Sequence, residues 1–192
     1  MSRIGVLALQ GDFEAHEKAF QEAGAQTSQV RTGADLERID ALVIPGGEST
    51  TMLKLLEIES LMEPLREFGL RKPIFGTCAG AILLAKEVTN PAQISLGLVD
   101  ITVERNAYGR QVHSQVASLQ VDPEQPPMEA VFIRAPVIRR AGPEVQVRAR
   151  WNDTPVLVQQ GNHLVATFHP ELGAGRRVQL LFLDMVRSCR NQ

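Results

Sequence analysis

Cysteine is scarce in this 192-residue chain, which has only Cys78 and Cys189. Two residues this far apart supply neither a disulfide framework nor a thioredoxin pair nor a thiolate zinc site, so reduced thiols are expected. An excess charge of one sign is also lacking: 20 Lys plus Arg against 22 Asp plus Glu leave a net charge of −2. That balance gives no electrostatic reason to expect nucleic acid or an anionic membrane as partner, and it points to a small ligand. Long hydrophobic runs are missing too. The longest charge-free stretch, from about Thr154 to Phe168, is broken by Gln159, Gln160 and Asn162, far short of the ~20 apolar residues of a membrane span. The opening MSRIGVLALQGD ends its apolar run at a Gly-Asp turn signal without a small-residue cleavage site. It reads as a first strand rather than a signal peptide, and a cytoplasmic protein is expected.

What is present is 44% hydrophobic and 22% charged residues, the balance of an ordinary globular chain. Against a prior of about 150 residues per domain, one domain spanning residues 1–192 is expected. Ile4 to Leu9 reads as a strand, and Phe13 to Ala23 as a helix with Phe13, His16, Phe20 and Ala23 on one face. Ala41 to Ile44 is a second strand, closed by Pro45-Gly46-Gly47 before a helix that Ser49 or Thr50 can cap. Pro73 to Gly76 is a third, followed by a helix over Ala79 to Lys86. Three strand-turn-helix units in series predict an α/β fold: a three-layer domain with a mostly parallel central sheet and helices on both faces. From Leu96 the texture changes. Gly97 to Glu104, Gln111 to Val121, Ala130 to Ala135 and Val145 to Trp151 read as added antiparallel strands in the C-terminal half. Pro155 to Gln159 and His163 to Phe168 flank a hairpin turn, and a helix around Arg177 to Ser188 closes the chain.

Three segments can carry chemistry. In Gly76-Thr77-Cys78-Ala79-Gly80, glycines flank a Cys between strand and helix at the spacing of a nucleophile elbow, where only small neighbours let the two elements approach. The following helix N-terminus favours thiolate, and the Ala79 amide can face an oxyanion. A small buried hydrophobe between packing glycines remains the alternative. His169-Pro170-Glu171 places a base and an orienting carboxylate at a strand end, which a thiol nucleophile requires; a solvated strand cap is the competing reading. His16, His113 and His163 have weaker contexts. Pro45-Gly46-Gly47-Glu48-Ser49-Thr50 also follows a strand, so both loops open on the same carboxyl edge of the sheet. The Gly-Lys-Ser/Thr ending of a phosphate loop is absent, and a plain tight turn explains the segment as readily.

Together G-T-C-A-G, P-G-G-E-S and the late H-P-E resemble the class I, triad-type glutamine amidotransferases. Leu9-Gln10-Gly11-Asp12, Pro45 to Met52, Gly76 to Gly80, Glu104 to Gln111, Phe132-Ile133-Arg134-Ala135-Pro136 and Phe168 to Glu171 extend the likeness over nearly the whole chain. They resemble the glutaminase subunits of pyridoxal 5′-phosphate synthase. The resemblance implies that Cys78 is the nucleophile, His169 the general acid/base and Glu171 its orienter. It implies that Gly47, Glu48, Ser49, Arg105, Ile133 and Arg134 hold glutamine, that the Gly47 and Ala79 amides form an oxyanion hole, and that Gln10 is an accessory group. One departure is Tyr108, where the family usually has Phe. The residues suit those roles: Arg105 and Arg134 match the α-carboxylate of glutamine and Glu48 its ammonium, although strand-borne Arg and a helix-terminal Glu are equally common as solvated surface charges.

The implied reaction is hydrolysis of L-glutamine to glutamate and ammonia through a Cys78 thioester, with no metal or cofactor. The implied partner is a barrel-shaped synthase subunit that consumes the ammonia, because neutral water would protonate it. A γ-glutamyl hydrolase or peptidase on the same scaffold, and a non-catalytic regulatory module, are the alternative functions.

Overall fold

Apolar residues at consecutive positions in three short runs are what a strand buried on both faces requires. The computed structural model, which describes residues 2–107 and 114–190, builds those runs into parallel strands. They are β1 (Arg3–Leu7), β3 (Ala41–Ile44) and β4 (Ile74–Thr77), joined by β2 (Gln26–Val30) at one edge. On the other side β12 (His163–Ala166) pairs with β4 in parallel, and β11 (Thr154–Gln160) and β10 (Gln146–Trp151) continue the sheet antiparallel. The order is β10-β11-β12-β4-β3-β1-β2.

Alternation along each strand divides the core. Ile4, Val6, Ala41, Val43, Phe75, Leu164 and Ala166 face one side, while Leu7, Leu42, Ile44, Ile74 and Val165 face the other. The first side is covered by α1 (Phe13–Glu22) and α6 (Arg177–Arg190), through Phe20, Val178, Phe182 and Leu183. Phe182 meets Phe20 edge-on at 6.0 Å and Phe75 at 5.5 Å, contacts worth about 0.5–1.5 kcal/mol each beyond their burial. The second side is covered by α2 (Gly33–Leu36), α3 (Ser49–Ile58), α4 (Met62–Gly69) and α5 (Ala79–Leu84). The protein is thus one α/β domain with helices on both faces of a mostly parallel sheet.

The added strands differ from the expectation in two ways. The helix after the Cys elbow stops at Leu84, and Ala85 and Lys86 already belong to β5 (Ala85–Thr89). β5 pairs in parallel with β6 (Val99–Glu104), which pairs antiparallel with β9 (Val137–Ala141). β7 (Ser114–Leu119) and β8 (Met128–Ile133) form a separate antiparallel ribbon. Of the expected strand Gln111 to Val121, the first residues lie outside the described part of the chain. Among the described residues, no helix is long and apolar enough to cross a membrane.

One buried polar group in the sheet gives a test. His163 opens β12 almost fully buried, and its Nδ1 accepts the Ile74 amide at 3.3 Å. Burial, opposed only by an interaction with the Gly69 backbone, lowers its pKa to about 4. The unfolded chain therefore takes up a proton near pH 6.5 that the fold refuses until about pH 4. Stability contributed by the neutral ring is full above 6.5 and declines as pH falls through that window, by about 3 kcal/mol at most. His163→Gln is expected to flatten the fall in urea midpoint between pH 7 and pH 4. An equally steep fall in the variant would contradict this account.

Candidate functional site

The ends of β3, β4 and β12 on the carboxyl edge of the sheet come together around Cys78. The residue directly follows β4, and its own amide donates to Ala166 O at the end of β12, 2.9 Å away. Its backbone is at φ 49°, ψ −102°, a conformation an L-residue holds only when its surroundings impose it. The flanking glycines show why. A Cβ on Gly76 would meet the Gly80 carbonyl oxygen at 2.5 Å, and one on Gly80 would meet the Ile44 carbonyl oxygen at 2.1 Å. Strand, turn and helix approach one another backbone to backbone at these glycines, which fixes the elbow at the sheet edge.

β12 delivers the second part. After Phe168, the His169 amide donates to Val131 O of β8 at 2.8 Å, and its ring Nδ1 lies 2.7 Å from Glu171 Oε1. The Glu171 side chain has no exposure to solvent. Burial works against charge on both groups, yet each is held ionised. Interactions with Cys78 and Glu171 raise the His169 pKa to about 10, and the attraction of nearby His16, followed by the pairing with His169, holds the Glu171 carboxyl below its ordinary range. Cys78, His169 and Glu171 are therefore brought together, with the ring nitrogen not used by Glu171 left for the thiol.

The Pro45-Gly46-Gly47 turn after β3 supplies the wall. A Cβ on Gly46 would stand 2.6 Å from His169 Cε1 and 3.3 Å from Cys78 Cβ, so the bare Cα of Gly46 lies against both residues. The Gly46 carbonyl packs on Gly11, and the planar trans peptide then directs the Gly47 N–H away from Gly11. Gln10 lies under Gly47, and its Oε1 accepts the Glu48 amide at 3.2 Å. Gln10 thus pins the turn.

The remaining expected residues fall around this centre. Glu48 is itself the N-cap of α3: its carboxylate accepts the Thr50 and Thr51 amides at 3.0 and 2.7 Å. The expected cap, Ser49 or Thr50, is displaced because a Glu at this position can reach two free amides at once. Although partial burial works against the charge, those amides and the Thr hydroxyls lower its pKa to about 2. Ser49 is buried as the first residue of α3 and donates to Gln93 Oε1 at 3.1 Å. Arg105 donates to Thr50 Oγ1 at 2.7 Å and stands 3.7 Å from Glu48 Oε1. Ile133, at the end of β8, puts its carbonyl oxygen 4.0 Å from Cys78 Sγ. Arg134 follows in the left-handed region at φ 45°, exposed to solvent. Ala79 opens α5 directly after the thiol. Tyr108 lies outside the described residues. Among the described residues no group of His, Cys, Asp or Glu is arranged to hold a metal ion.

The structure also adds a residue that no local pattern singled out. His16, fully buried on α1, places Nε2 3.3 Å from Glu171 Oε2 and 3.1 Å from Thr77 Oγ1. Its helical position marked it as a packing residue, and its partners lie at least 61 positions away.

This geometry has relatives. A family model described as the SNO glutamine amidotransferase family matches residues 6–188. The pyridoxal 5′-phosphate synthase subunit PdxT of Solibacter usitatus is 57% identical over 190 residues, covering 96% of this chain and 99% of that protein. A subunit of the same name from Thermosipho africanus is 47% identical over 187 residues, covering 96% and 99%. A solved structure described as a glutamine amidotransferase superposes with a TM-score of 0.89 at 46% identity, over 96% of this chain and 98% of that one. With the match running through the Cys elbow, the Gly-Gly turn and the His-Pro-Glu strand end, the chain belongs to the SNO glutamine amidotransferase family.

Proposed function

We propose that this chain is the glutaminase subunit of a pyridoxal 5′-phosphate synthase, acting in the cytoplasm on L-glutamine without metal or cofactor. The observation that carries the reading is the convergence of Cys78 and the His169–Glu171 pair on the bare Cα of Gly46. The Cys78 thiolate attacks the amide carbon of glutamine, and the developing oxyanion is met by the Gly47 and Ala79 amides. His169, held as imidazolium by Glu171, gives its proton to the departing nitrogen, which leaves as ammonia. The neutral ring then takes a proton from water, whose oxygen attacks the thioester carbon; the C–S bond breaks, the Cys78 thiolate and His169 imidazolium are restored, and glutamate leaves as its carboxylate after losing a proton to solvent. In this reading Arg105 and Arg134 take the α-carboxylate, and Glu48 and Ser49 at the N-terminus of α3 and the Ile133 carbonyl complete the glutamine site. Glu48 takes part through the oxygen capacity its two amide contacts leave over.

The partner in this reading is a synthase subunit that receives ammonia before water protonates it; neither nucleic acid nor membrane is involved. The test is steady-state glutamate release from glutamine with and without a stoichiometric synthase subunit. Turnover is expected to rise about 100- to 1,000-fold with the partner, the usual worth of one oxyanion donor, because the Gly46–Gly47 peptide, held by Gly11 and Gln10 in the free chain, has glycine on both sides and can take another orientation when a partner docks. No glutamate release under either condition would overturn the reading.

The same geometry sets a steric expectation. Gly46→Ala introduces a methyl group 2.6 Å from a ring carbon of His169, and that ring cannot retreat without breaking its 2.7 Å contact to Glu171. A shift of about 1 Å in a catalytic group costs on the order of 100-fold. Partner-stimulated kcat is expected to fall by that factor with the thermal midpoint nearly unchanged; wild-type turnover would contradict the packing described.

A further inference from the structure

The proposed reaction assigns no part to His16, and its surroundings suggest one. We infer that His16 is a positioning residue: its neutral imidazole holds the second oxygen of Glu171, and through it the orientation of His169, while linking both to Thr77 beside the nucleophile. The inference rests on the glutaminase reading and extends it to a residue on the opposite side of the carboxylate.

Glu171 is sealed from solvent, and His169 occupies only its Oε1. Among the described residues Oε2 makes no hydrogen bond, and the charged or polar group that stands against it is His16 Nε2, at 3.3 Å. A buried carboxylate needs donors on both oxygens to remain ionised and fixed in orientation.

The tautomer follows from the surroundings. Among the described residues His16 Nδ1 has no hydrogen-bond partner. Placing the proton there would bury an unsatisfied N–H and turn the Nε2 lone pair toward a carboxylate. The proton therefore sits on Nε2, within hydrogen-bond reach of Thr77 Oγ1 and with its positive end 3.3 Å from Glu171 Oε2. The charge follows as well. Burial drives the His16 pKa below its ordinary value and the nearby His169 lowers it further, against the opposing pull of Glu171 and Asp12. His16 thus offers an N–H dipole, not a second cation that would compete with His169 for Glu171.

Packing alone does not explain the residue. His16 shares its buried face of α1 with Ala19 and Phe20, where an aliphatic side chain would fill the space without a desolvation cost.

The test compares His16→Leu, His16→Gln and His16→Asn in complex with the synthase subunit. It reads kcat, KM and the pH profile, together with the titration of His169 by NMR of histidine-labelled protein. His16→Leu is expected to lower kcat about 10- to 100-fold, the range for losing a polar group that supports a functional side chain, with KM unchanged. The alkaline limb of the profile and the His169 titration should both move to lower pH. The Gln amide nitrogen reaches the position of Nε2, so His16→Gln should recover most of kcat, while the shorter Asn should not. Should His16→Leu fail to fold, the Gln and Asn pair decides alone. Equal losses in Gln and Asn that track thermal stability, or an unmoved His169 titration in the variant lacking the donor, would overturn the assignment. The titration needs no turnover, so a wild-type complex that releases no glutamate would overturn the glutaminase reading while the His16 contact is still decided.

Discussion

Cys78→Ala is expected to abolish glutamate release, with a loss on the order of a million-fold, the cost of removing the nucleophile from a working triad. Glutamine binding and the thermal midpoint should remain close to wild type, because the change removes one sulfur from a pre-formed elbow. That elbow is maintained by backbone contacts, Gly76 against Gly80 and Gly80 against Ile44, which the substitution does not touch. Strain relief at the positive φ is not expected, since Ala carries the same Cβ as Cys. Cys189 is exposed on α6 and provides the control: Cys189→Ala should leave turnover unaltered. Retained turnover in Cys78→Ala, or equal losses in the two variants, would remove Cys78 from its proposed role.

Glu171→Gln should lower kcat by about 1,000- to 10,000-fold and leave KM little changed. In Ser-His-Asp enzymes the corresponding acid-to-amide exchange costs about 10,000-fold, because the amide favours the wrong tautomer of the histidine. The same logic applies here through the 2.7 Å contact between His169 Nδ1 and Glu171. The pH dependence follows with a definite sign. Burial disfavours the imidazolium, but Cys78 and Glu171 together raise the His169 pKa from 6.5 to about 10. A group whose folded pKa lies above its unfolded value stabilises the fold fully below the lower value, and that contribution disappears as pH rises through the higher one. The advantage of wild type over Glu171→Gln in thermal midpoint should therefore narrow between pH 6.5 and pH 10. The alkaline limb of the kcat profile should lie at lower pH in the variant. A change confined to KM would make Glu171 a binding residue instead.

Much of the architecture is legible in local pattern because burial on both faces leaves a local mark. Ala41–Ile44 is a strand with the expected limits, since four consecutive apolar residues closed by Pro-Gly-Gly admit little else. β2, with the sequence QTSQV, carries no such mark. It lies at the sheet edge with one partner strand, where polar side chains meet solvent, and only its pairing with β1 makes it a strand. The end of α5 was illegible for the opposite reason. Ala85 and Lys86 suit a helix, but pairing of Ala85 with Val99 draws the chain into β5. Nor could local alternation reveal that β12 runs parallel to β4, the choice that carries His169 to the same sheet edge as Cys78.

The sequence alone determined which groups are available and how each is locally presented. A Cys between glycines, a His two residues before a Glu, and a Gly-Gly turn after an apolar strand are local facts, because turn geometry and strand ends depend on near neighbours. Tertiary structure alone decided which oxygen of Glu171 faces which histidine, that the Glu48 carboxylate caps α3 while facing Arg105, and that Gly46 rather than Gly47 lies against Cys78 Cβ and the imidazole. It also decided that His16 belongs to the site. Those are contacts between elements distant in sequence, and their distances depend on the order of strands in the sheet and the side on which each helix packs, which no local run of residues records.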